Sequence, residues 1–150
     1  MSGKKWRGLL FGLYCAWMLW LLFGQRVPGG DVQDLQLQPF RTLRLFWHLL
    51  EHTASPGLRR HAVVNLLGNV VMFVPLGFFV PWICGVWGKF WRHLLLMTGI
   101  IVCIELSQYV LRLGTCDVDD LLLNLVGTTM GFVLWRLWQY LHDRAIAKRS

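Results

Sequence analysis

Four apolar runs divide the chain, at residues 8–24, 62–84, 93–111 and 121–141, and short basic or polar stretches separate them. Each holds close to the roughly 20 residues that a helix needs to cross the hydrocarbon of a bilayer. The pattern predicts an all-α integral membrane protein, a four-transmembrane-helix bundle forming one domain over residues 1–150. Lys4, Lys5 and Arg7 precede the first run, as in a secretory leader, but Trp17 and Trp20 lie within it and no small-x-small cleavage pattern follows. It reads as a retained first span.

Residues 25–60 are the one long polar interval. Within it Phe40, Leu43, Trp47 and Leu50 recur at helical spacing, with Arg41, Arg44, His48 and Glu51 on the other faces. This predicts an amphipathic interfacial helix at residues 40–50; a reentrant or loosely packed loop is the alternative.

Composition agrees with a membrane solvent, since 55% of residues are hydrophobic and only 15% charged. The net charge of +7 comes from short basic clusters beside apolar runs, with no nucleic-acid motif, so nucleic acid is not an expected partner. Membrane lipids are. The termini and the connector 85–92 hold nine Lys and Arg residues and the opposite side holds six, diluted over a long loop. That bias puts both termini in the cytoplasm and the first loop, with its interfacial helix, outside. Cys15, Cys84, Cys103 and Cys116 have neither disulfide-framework nor zinc spacing. Cys15 and Cys103 read as small hydrophobes and Cys116 as the exposed thiol.

Polar side chains inside apolar runs are the candidates for chemistry. Asn65 and Asn69 are one helical turn apart, as are Asp120 and Asn124, and Glu105 and Gln108 adjoin on one face. A carboxylate at mid-bilayer costs about 2.5–3.5 kcal/mol on insertion scales, so Glu105 is a functional candidate by default. In the expected topology Asn65, Asn69, Glu105, Gln108, Asp120 and Asn124 come to one level, roughly 2–12 Å below the outer boundary, and with Asp117 can line one polar pocket. The other reading of the amides is interhelical hydrogen bonding, worth about 0.6 kcal/mol per bond. Gly127 and Gly131 continue the Asp120 stripe as a Gly-x-x-x-Gly pair on which another helix can pack closely. Glu105, Asp117 and Asp120 together offer oxygen ligands suited to a divalent cation. His48-Leu-Leu-Glu51-His52 matches the pattern of inverted zinc peptidases. A short chain made almost wholly of spans lacks the helix that supplies a third ligand, and interfacial histidines are the preferred reading.

Taken in order, Asn65-Leu-Leu-Gly-Asn69, Phe73-Val-Pro75-Leu-Gly77, Glu105-Leu-Ser-Gln108 and Asp117-Val-Asp-Asp120-Leu-Leu-Leu-Asn124-Leu-Val-Gly127 resemble the motifs of the VanZ-like family of bacterial membrane proteins. Leu37-Gln-Pro39-Phe40-Arg-Thr42 resembles that family's loop motif, which more often reads Asn-Leu-x-Pro-Phe. One departure is Gly114, where many relatives carry an Arg three residues before the first Asp; the nearest here is Arg112. The resemblance implies the bacterial cytoplasmic membrane and an association with reduced susceptibility to glycopeptide antibiotics such as teicoplanin.

Two classes of function follow. In the favoured one, the protein is noncatalytic and its outward polar pocket binds a glycopeptide antibiotic or a cell-wall precursor, or supports a partner that does. In the alternative, a membrane enzyme uses Glu105, Asp117 and Asp120, with or without a divalent cation, on a lipid or polyprenyl headgroup. No Ser or Cys stands at activating spacing from a His.

Overall fold

The structure is a computed structural model and describes residues 3–24, 35–84, 89–113 and 116–148. Residues 85–88 of the connector, with Trp87, and Gly114 lie outside the described residues. Helix α1 (Gly3–Leu19) runs into a π-helical turn, Trp20–Gly24. A two-residue strand β1 (Leu35–Gln36) leads to α2 (Arg41–His52), and α3 (Pro56–Cys84) and α4 (Phe90–Val110) follow. A second short strand β2 (Cys116–Asp117) then opens directly into α5 (Val118–Ala147). Among the described residues, four helices are long and apolar enough to cross a membrane: the first, with its π turn, and α3, α4 and α5. This is the all-α four-helix membrane fold that the apolar runs predict.

The spans overshoot the apolar runs. Helix α3 begins six residues before the second run, with Pro56 at its first position, where a missing N–H has no ladder partner to lose. Its 29 residues extend about 43 Å, longer than the roughly 30 Å of hydrocarbon, so Arg59 and Arg60 fall beyond the apolar stretch.

Helices α3 and α5 form the spine of the bundle. Gly77 on α3 and Gly127 and Gly131 on α5 mark the crossing. A Cβ at Gly127 would run into the Val70 carbonyl, one at Gly131 into the Val74 carbonyl, and one at Gly77 into the Thr128 carbonyl. The backbones touch where side chains are missing. Phe73, Leu76, Val80, Met97 and Ile101 make the buried core, with Phe11 and Tyr14 of α1 packed on it. Tyr14 donates its hydroxyl to the Met72 carbonyl at 2.6 Å, in the turn where Pro75 deprives the ladder of an N–H. Outward faces are apolar: Val64, Leu67 and Val71 on α3 and Leu95 and Val110 on α4 are exposed, as suits contact with lipid.

Two chain reversals at one end of the bundle bear on the site. Helix α4 closes with Leu113 N–H on the Gln108 carbonyl at 2.9 Å and Arg112 N–H on the Tyr109 carbonyl at 3.1 Å. This is the Schellman pattern, and Arg112, at φ 57°, occupies the left-handed position where glycine is usual. At the same end β1 pairs in parallel with β2, Leu35 opposite Cys116 and Gln36 opposite Asp117.

Candidate functional site

The site forms where α5 begins. Asp117 is extended, at φ −116°, and its side chain accepts the Asp119 N–H at 2.8 Å, capping α5. Asp119 and Asp120 then fall in the first turn, where the helix dipole favours negative charge. Successive residues on a helix point about 100° apart, so the two carboxylates serve different neighbours.

Asp119 is fully buried and reaches the start of α2. Its Oδ1 accepts the Phe40 N–H at 2.6 Å and its Oδ2 the Leu43 N–H at 3.1 Å. The first N–H groups of any helix lack partners within it, and Phe40, the residue at the cap position, supplies no side-chain cap to α2. A carboxylate from another helix therefore does the capping. Thr42 donates its hydroxyl to Asp117 Oδ2 at 2.6 Å, and Arg41 donates to Gln36 Oε1. The segment 36–42 is thus bound to the head of α5 by β1–β2 pairing, a hydroxyl and two backbone N–H groups. Phe40, at φ 64°, pays for its place in this knot with a left-handed backbone that aims its N–H at Asp119.

Asp120 turns towards α3. Its Oδ1 accepts from Asn69 Nδ2 at 2.6 Å, and the same amide nitrogen stands 3.4 Å from Asn65 Oδ1. Asn65, Asn69 and Asp120 are all half-buried, so this ladder ties α3 to α5 without being fully enclosed. Asn124, one turn deeper, is buried, and its Oδ1 has no hydrogen-bond partner among the described residues.

Glu105 is buried beside a cavity of about 70 Å³ that it shares with Cys116, Asp117 and Leu121. Burial pushes the Cys116 thiol pKa up, and the negative charges of Glu105 and Asp117 push it the same way. Gln108 goes elsewhere. Its Nε2 donates to the Leu22 carbonyl in the π turn at 3.0 Å, tying α4 to the end of the first span.

Three expectations need correction. Gln108, expected in the polar pocket, instead ties α4 to the end of the first span. Cys116 is half-buried where β1 pairs with its strand, whereas Cys84 is exposed at the end of α3 and Cys103 along the α4 span. Glu105, Asp117 and Asp120 do not converge as a cation site: no three His, Cys, Asp or Glu side chains gather as ligands among the described residues. Asp117 accepts from Thr42 of α2 while Asp120 accepts from Asn69 of α3, so the two carboxylates are engaged by different helices. As for the zinc-like pattern, His48 and His52 stack with ring centroids 4.4 Å apart on the exposed side of α2.

The sequence reading missed Asp119, Gln36 and Thr42 as site residues. Thr42 was within reach, since it closes the loop motif and a hydroxyl beside an acidic motif is a natural donor.

The family model described as VanZ/LLP1 matches residues 10–139. The chain belongs to the VanZ/LLP1 family. In this VanZ/LLP1 protein the matched region runs from α1 to late α5, and so includes every residue of the knot and of the Asn65–Asn69–Asp120 ladder. No curated protein and no solved structure gives a significant match.

Proposed function

We propose that this VanZ/LLP1 member is a single-domain, noncatalytic protein of the bacterial cytoplasmic membrane, with both termini in the cytoplasm and the α5 head outside. Its half-buried ladder of Asn65, Asn69 and Asp120 engages a polar ligand at headgroup depth. The ligand class is a glycopeptide of the teicoplanin type or the cell-wall precursor that such antibiotics bind, and the outcome is reduced susceptibility.

The observation that carries the noncatalytic reading is the engagement of the acidic motif. Asp117 and Asp119 accept hydrogen bonds from Thr42, Phe40, Leu43 and the Asp119 N–H, and in those positions they hold the fold together. A general base needs a lone pair directed at substrate; these are directed at the chain itself. The half-buried ladder combines amide donors and acceptors with a carboxylate, which is the composition of a hydrogen-bonding recognition surface. The enzyme reading retains Glu105, buried at its small cavity beside Cys116.

The test is a strain overexpressing the protein, scored for teicoplanin and vancomycin tolerance. Tolerance rises more for teicoplanin, and Asn69→Ala abolishes the gain while the protein remains in the membrane. An unchanged tolerance with the protein present overturns the glycopeptide reading. Turnover of envelope lipids by purified protein, lost in Glu105→Gln, would establish the enzyme instead.

A further inference from the structure

The turn from α2 into α3 leaves a basic recess on the side of the bundle. Thr53, Ala54, Pro56, Arg59, Arg60 and Val63 line a cavity of about 380 Å³. Arg59 Nη2 donates to the Thr53 carbonyl at 3.2 Å, which holds its guanidinium against the turn. Arg60 is exposed, and among the described residues neither arginine is paired with a carboxylate. The first turn of α3 contains no acidic residue, so two cations gather where the helix dipole is already positive. That arrangement disfavours the helix end unless an anion reaches it from outside.

What lies beside the recess decides which anion. Val63, Val64, Leu67 and Val71 are exposed along α3, and they form one apolar stripe that starts at the recess and runs into the span. A charged rim over an apolar stripe has the same order as a phospholipid, phosphate above and acyl chains below. A soluble anion satisfies only the rim. Arginine suits the role, since its planar fork binds phosphate oxygens in pairs and its stem lies along apolar surface.

We propose that the recess at residues 53–63 seats one anionic phospholipid, its phosphate between Arg59 and Arg60 and its acyl chains along Val63, Val64, Leu67 and Val71. The assignment rests on this surface alone and is independent of the envelope function proposed above.

Full-length protein in phosphatidylcholine nanodiscs, with phosphatidylglycerol added in steps, tests it. Retained phosphatidylglycerol is counted by native mass spectrometry and the unfolding midpoint is followed in parallel. The wild type retains one phosphatidylglycerol and its midpoint rises. Arg59→Gln/Arg60→Gln retains far less, about five-fold less for each arginine removed, and its midpoint no longer responds. Arg92→Gln at the other end of the bundle behaves as wild type. Should the double variant fail to fold, Arg60→Gln alone carries the test, because the Arg60 side chain is hydrogen-bonded to no described residue. Equal retention by the arginine variants and the wild type overturns the proposal. So does an equal rise in midpoint when inorganic phosphate is added to phosphatidylcholine nanodiscs, since the recess would then be a site for a free anion.

Discussion

Asp119 holds two backbone N–H groups of another helix while fully excluded from solvent. Removing one partner from a buried hydrogen bond costs about 1–3 kcal/mol, because the remaining group stays desolvated. Asp119→Asn keeps one acceptor oxygen and sets its NH2 against the other N–H. Asp119→Ala removes both acceptors. Unfolding in detergent therefore occurs earlier for Asn and earlier still for Ala, and amide exchange at residues 40–43 quickens in the same order. Exchange that is unchanged at those amides in Asp119→Ala would show that α2 is capped by some other group. Cys116 offers a second check. Its raised pKa leaves less thiolate at neutral pH, and the thiolate is the form that attacks maleimide. Labelling is slow at pH 7, accelerates with pH beyond the range of an ordinary thiol, and becomes faster in Glu105→Gln, which removes a charge that raises the pKa. A rate unaffected by Glu105→Gln would separate Glu105 from Cys116 electrostatically.

At the scale of elements, the α3–α5 crossing depends on three missing side chains. Gly131→Leu drives a side chain into the Val74 carbonyl and the neighbouring α3 backbone, and Gly77→Leu does the same at Thr128. Each variant loses the folded bundle in mild detergent, seen as a lower unfolding midpoint and aggregation on gel filtration. Gly99→Leu, where a Cβ meets open space, leaves both unchanged. This contact was legible from spacing, since Gly127 and Gly131 repeat every four residues on a span. Asn69 and Asp120 read only as members of a wider polar pocket, and that these two bond to each other depends on how α3 and α5 pack. Asp119 was not legible, because its partners are backbone N–H groups 79 and 76 residues away, and backbone donors leave no mark in sequence. Which of three clustered acids faces which neighbour depends on where α5 starts. A start at Leu121 makes all three a loop, whereas the observed start at Val118 makes Asp117 a cap and sends Asp119 and Asp120 to different sides. Glu105 and Gln108 read as one face, yet the carbonyl that claims Gln108 belongs to a π turn that hydrophobic periodicity does not announce.

For the whole molecule, alternation of four spans sets the α5 head at the end away from both termini, and the topology proposed above from the charge count has that end outside. An impermeant maleimide applied to intact cells at alkaline pH reaches Cys116 and leaves Cys84 unlabelled. Labelling of Cys84 without Cys116 would invert the protein and put the Asn65–Asn69–Asp120 ladder in the cytoplasm. The same ordering of spans has a consequence for biogenesis. The loop that carries Phe40 leaves the ribosome before the second span does, while its carboxylate partner follows 79 residues later. At about 5–20 residues per second, the loop waits on the order of 4–16 s for its cap. During that interval α2 is held by its amphipathic face and by α3, where Phe46 meets His61 edge-on. A nascent chain arrested before Asp119 thus exposes segment 36–42 to proteases, and one arrested after α5 has inserted conceals it.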